Sequence, residues 1–168
     1  MKRLHKDQRG FSILELLLVM ILTGLITTAI TTTFFQVFNM NTRTANHMIA
    51  VSQVQQAGKL VSEDMLEAQA DMIEDSPGPG EFLKLGWVSS QNASTEYEII
   101  YTLEDGVLWR SETIGEGVPT TTRVAEYINA DQTSCVWGSG VLTFTVTATV
   151  GQESETRVYE VKPRPGAY

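Results

Sequence analysis

Arg9-Gly10-Phe11-Ser12-Ile13-Leu14-Glu15-Leu16-Leu17-Leu18-Val19-Met20-Ile21-Leu22 decides how the rest of the chain is read. A basic, polar leader ends at Gly10, and from Phe11 the sequence stays largely apolar to Phe38. That run is 28 residues long, and about 20 suffice for a helix to span a bilayer. Most of its interruptions are threonines, whose hydroxyls can bond back to a helix carbonyl in lipid. One acid, Glu15, sits a single helical turn inside it. A charge at the bilayer centre costs roughly 2.5–3.5 kcal/mol on insertion scales, so such residues are usually paired and functional.

Two plainer readings compete. A secretory signal peptide has an apolar core of roughly 7–15 residues and a small-residue cleavage site after it. This run is longer and continues into Asn39-Met40-Asn41-Thr42-Arg43, with no Ala-x-Ala pattern. An ordinary single-pass anchor with an incidental Glu15 remains open on composition alone.

Gly10-Phe11-Ser12-Ile13-Leu14-Glu15, placed between a short basic leader and about twenty apolar residues, resembles the amino-terminal signal of type IV pilins and of the pseudopilins of type II secretion. The resemblance covers Lys2 to Phe38. It implies cleavage between Gly10 and Phe11 by a membrane peptidase on the cytoplasmic side, with N-methylation of Phe11. It also implies polymerisation through the helix, with other pilin subunits and an inner-membrane assembly platform as partners. Gly24 matches a small residue common in that helix, while Thr32 stands where many pilins have proline. Glu15 argues against the tip subunit of secretion pseudopili, which typically lacks the acid. Its expected role is assembly: in lipid it can pair with the freed amine of Phe11, its own or a neighbour's, which favours one axial register.

Charge fits this polarity. Lys2, Arg3, Lys6 and Arg9 face only Asp7 in the leader, while the whole chain is −8. Positive residues before an apolar helix hold that end in the cytoplasm, which places the acidic remainder outside. An acidic body argues against phosphate-backbone binding, which needs Lys and Arg. The lone Cys135 excludes an intramolecular disulfide, a departure from many Gram-negative pilins.

Beyond Phe38, Val51, Val54, Gly58, Val61, Met65, Ala68 and Met72 recur at spacings of three and four, one face of an amphipathic helix. Leu60, Leu66 and Ile73 widen that face. Glu63, Asp64, Glu67 and Asp71 are expected in solvent. The helix is expected to run to Asp75, with its weakest point at Asn39–Thr42, and to stop at Ser76-Pro77-Gly78-Pro79-Gly80. Strand patterns come next, at 82–88, 97–103, 107–112, 121–128, 142–150 and 157–161. Glu104-Asp105-Gly106 marks a hairpin turn. Leu142, Phe144, Val146, Ala148 and Val150 alternate with four threonines. Asp131 to Gly140 and Gly151 to Glu155 read as loops.

The expected class is therefore α+β: a long N-terminal helix, transmembrane and then amphipathic, packed on an antiparallel sheet, the pilin fold. Its divisions are a leader 1–10, a membrane half 11–38, an amphipathic half 39–75 and a β domain 76–168. The span Glu96 to Lys162 also resembles, more loosely, the larger minor pilins and the J-type pseudopilin. No nucleophile–base–acid set, zinc spacing, phosphate loop or dinucleotide fingerprint is present, so the expectation is a structural subunit and no enzyme. No cofactor is expected. Calcium is weighed weakly at the Glu153/Glu155 loop and at Glu74, Asp75 and Glu81. The rival reading is a permanently anchored protein with an extracytoplasmic binding domain. The precursor belongs in the cytoplasmic membrane, and the assembled form in an extracytoplasmic or cell-surface filament.

Overall fold

The computed structural model describes residues 12–76, 78, 80–89 and 95–163. It divides into two compact units, 1–42 and 43–168. A single helix, α1 (Ile13–Glu67), belongs to both. Residues 39–42 are helical throughout, and the boundary between the units comes after Thr42.

In the first unit the apolar side chains of α1 are exposed among the described residues. Ile13, Leu14, Met20, Leu25, Phe35 and Phe38 are all more than half exposed. The window of highest hydropathy is entirely unburied. The threonine reading is seen in geometry. Thr23 Oγ1 donates to the Val19 carbonyl at 2.7 Å, Thr27 to Thr23 at 2.8 Å and Thr31 to Thr27 at 2.8 Å. Thr28, Thr32 and Thr33 do the same to Gly24, Thr28 and Ala29. Each hydroxyl thus finds a partner within the helix, which lets a polar residue sit in an apolar run.

The second unit joins α1 from Arg43 onward to eight strands. Strands β1 (Ile73–Asp75), β2 (Glu81–Val88), β3 (Glu96–Glu104), β4 (Val107–Ile114) and β5 (Thr120–Ala125) form an antiparallel sheet in chain order. Strands β6 (Ser134–Gly138), β7 (Val141–Val150) and β8 (Glu153–Val161) form a second one. The sheets meet where Asp75 Oδ2 accepts the Trp137 N–H at 2.9 Å. Beyond the end of β5, Ile128 bridges Ala148 of β7. The helix stripe Ala50, Val54, Ala57, Val61, Met65 and Ala68 is buried against Leu83, Leu85, Ile99, Tyr101, Phe144 and Val146 of both sheets.

Contacts along α1 show how the sheets lie. The first sheet crosses the helix: Gly86 of β2 accepts from Gln69, Tyr101 and Arg110 of β3 and β4 meet Asp64, and Glu126 beyond β5 donates to Gln53. The second sheet tracks it. Glu153 at the start of β8 lies 3.9 Å from Arg43, and Tyr159 near its end donates to the Val54 carbonyl at 3.2 Å. Gly58 permits that approach, because a Cβ there would collide with the Tyr159 ring.

The structure corrects several expectations, among them the strand expected at 121–128, which ends at Ala125, and Leu66, which is exposed and does not widen the buried stripe. The helix ends at Glu67, not Asp75, without help from the Pro-Gly run. Ala68 N–H still reaches the Asp64 carbonyl at 3.1 Å, but Gln69 N–H turns to Gly86 of β2 at 2.9 Å. Ala70–Met72 is a 3₁₀ turn, and Ile73 is buried as a strand residue opposite Leu85. Met72 and Ile73 kept helical spacing, yet backbone pairing with β2 offered both burial and hydrogen bonds, so the strand won. Asp64 is buried, not solvated. Asp131–Gly140 holds β6, whose Cys135 and Trp137 alternate inward before a Ser139-Gly140 turn with both φ angles positive. Strand β8 begins at Glu153, so only Gly151-Gln152 turns. The 104–106 hairpin forms as read, with Asp105 and Gly106 both in the left-handed region.

Candidate functional site

Gly10 and Phe11 lie outside the described residues. The described chain opens on Ser12, whose side chain accepts the Leu14 N–H at 3.3 Å and whose carbonyl accepts the N–H groups of Glu15 at 3.0 Å and Leu16 at 3.2 Å. Ser12 is therefore the N-cap, and Glu15 falls in the first turn. An acid there meets the positive end of the helix dipole, a contribution of about 0.3–1 kcal/mol when exposed. Glu15 is exposed, and among the described residues it has no ion-pair partner. It is an exposed carboxylate in an apolar stretch of helix.

Residues 5–31 match the prokaryotic N-terminal methylation motif. The motif spans the end of the basic leader, the Gly10–Phe11 junction, Glu15 and the apolar run to Thr31. It supports the type IV pilin and pseudopilin family. Together with the exposed apolar helix it fits a membrane-anchored precursor that the prepilin peptidase cuts and methylates. No curated protein and no solved structure matches the chain.

The other residues singled out in the sequence lie apart from this site. Cys135 is half-buried on β6, where burial, then the charge of Asp75, pushes its thiol up to about 12. At neutral pH it is a protonated, unreactive thiol. Glu153 and Glu155 are strand residues, set against Arg43 and Arg157. Glu74 and Asp75 lie on β1 and Glu81 opens β2, with one Asp75 oxygen taken by Trp137. Among the described residues no three acidic, His or Cys side chains gather as a metal site.

Sequence reading missed a buried polar knot between α1 and the first sheet. Asp64 Oδ2 accepts the Tyr101 hydroxyl and Arg110 Nε, the latter at 2.7 Å, and Oδ1 accepts Arg110 Nη2 at 3.1 Å. Glu112 Oε2 takes Arg110 Nη1 at 2.8 Å. Burial first, then the Asp64 charge and hydrogen bond, push the Tyr101 phenol well above its ordinary value. For Arg110 burial opposes the charged form, but the hydrogen bonds to Asp64 and Glu112 more than offset it and raise its pKa. The knot fixes how the last turns of α1 seat on the sheet. The only sequence hint was an acid directly beside Met65 in the apolar stripe, at a position that a helical wheel places near the stripe's edge.

Proposed function

We propose that the protein is a non-catalytic subunit of a type IV pilus or pilus-like filament, a minor pilin or pseudopilin. The observation that carries this reading is the methylation motif on a helix whose apolar stretch to Phe38 is exposed and whose one acid in that stretch, Glu15, lacks an ion-pair partner among the described residues. The basic leader stays in the cytoplasm, and the peptidase cuts between Gly10 and Phe11 and methylates Phe11. The new cationic amine then meets Glu15 of a neighbouring subunit. Leaving either charge unpaired in lipid is costly, so the pair selects one axial register as helices bundle. The assembly platform adds subunits from the membrane, and the β-rich units form the filament surface. The lone Cys135 and the strand-rich span from Glu96 to Lys162 favour the minor class.

Mass measurement on the native protein is the direct test. Loss of residues 1–10 with a gain of about 14 Da on Phe11 is the expected result. An intact N-terminus would leave a permanently anchored ectodomain and end the filament reading.

A further inference from the structure

The outward face of the second sheet departs from the rest of an acidic chain. On β7, Leu142, Phe144 and Val146 point to the core, so Thr143 and Thr145 point away from it. Thr143 is flanked by Val136 of β6 and Glu160 of β8, and Thr145 by Ser134 of β6 and Val158 of β8. With Thr156 these make a block of hydroxyl and methyl groups whose one charge, Glu160, stands at its edge. Val136 and Val158 are 55% and 59% exposed. Neighbouring hydroxyls already bond one another, Thr147 to Thr156 at 2.8 Å and Thr149 to Ser154 at 3.1 Å.

We infer that this face is a self-association surface on which a second copy of the chain packs sheet against sheet. Charge pattern selects the occupant. Two chains of net charge −8 repel over most of their surfaces, and this block is where they can close without burying like charges. Depletion of charge at the centre of a patch is also what marks interface cores. Strand direction makes the pairing compatible with anchoring. Because β8 tracks α1, a two-fold axis parallel to the strands runs both copies of residues 43–67 the same way. Both chains then enter their domains from the same side, as two anchors in one bilayer require. Strand rise and spacing give the uncharged block about 250 Å² per copy, less than a free-standing specific contact buries. The contact is weak for a single pair and strengthens when anchors confine copies to a membrane. The pairing goes beyond the filament reading and does not depend on it.

The test uses the full chain in its native membrane with Cys135→Ser as background. Thr145→Cys, near the axis, is treated with a thiol cross-linker spanning about 10 Å, the usual distance between packed sheets. A dimer is expected from Thr145→Cys and at least tenfold less from Thr121→Cys, an exposed position on β5. Adding Val158→Glu or Val158→Lys should each reduce the Thr145→Cys dimer at least tenfold, since either charge would be buried opposite the partner's β6, at the level of Ser134, with no counter-charge. Equal cross-linking at positions 121 and 145, or a dimer indifferent to both charges, overturns the proposal. Repeating the experiment with Glu15→Ala separates it from filament assembly. The dimer should persist there, and its loss would mean that cross-linking reported filament neighbours instead of this face.

Discussion

Residues 13–42 and 43–67 belong to one helix, yet they solve opposite problems. The first stretch exposes its leucines, isoleucines and phenylalanines and ties its threonine hydroxyls back to its own carbonyls. The second buries Val54, Val61 and Met65 completely and hands the polar groups of Gln53 and Asp64 to partners beyond the helix. In the first, hydrogen bonding is satisfied locally because lipid offers no partner. In the second, long-range partners exist, and the side chains use them. A helix can therefore be continuous in backbone while its side chains obey two solvents.

The sharpest way to break this contrast is at the isolated acid. Glu15→Ala should reduce incorporation into shear-released filaments at least tenfold while membrane levels of the processed protein stay unchanged. Equal incorporation would remove the pairing role. The next largest effect lies at the buried acid. Asp64→Ala leaves Arg110 held by Glu112 alone and the Tyr101 hydroxyl without its acceptor, and should lower stability by about 3–5 kcal/mol in chemical denaturation of the detergent-solubilised chain. Replacing Arg110 by Leu in the same chain should recover part of that loss, because the half-paired charge is gone.

Gly58→Ala places a methyl in the Tyr159 ring and should cost about 1–3 kcal/mol as overpacking. Tyr159→Leu should relieve it, whereas Tyr159→Phe alone forfeits only the bond to Val54, about 1 kcal/mol. Cys135 sets a pH test. An ordinary thiol titrates near 9.0, and this one is pushed up to about 12, so the folded state keeps its proton across that interval. Its stabilising share is complete below about pH 9 and shrinks as pH rises toward 12. Comparison with Cys135→Ala should isolate that slope, and the native thiol should resist alkylation at pH 8. The smallest effect belongs to the exposed helix: Thr27→Val removes one back-bond and should change stability by less than about 0.5 kcal/mol.

Whatever a single short window decides was legible in the sequence. The leader, Gly10-Phe11, Glu15 and the apolar run need no distant partner to be recognised, and hydropathy alone separated 11–38 from the amphipathic stretch beyond it. Period-two alternation at 142–150 and Asp105-Gly106 announced a strand and a turn through local backbone preference. Only the tertiary structure could end α1 at Glu67, because Met72 and Ile73 fit a helical stripe until Gly86 and Leu85 of β2 claimed that stretch. It alone could bury Asp64, since the acid is tolerable inside only when Arg110 and Tyr101, far away in sequence, arrive beside it. Hydrophobic periodicity is a property of neighbours along the chain. Pairing between backbones and between opposite charges belongs to residues that folding brings together.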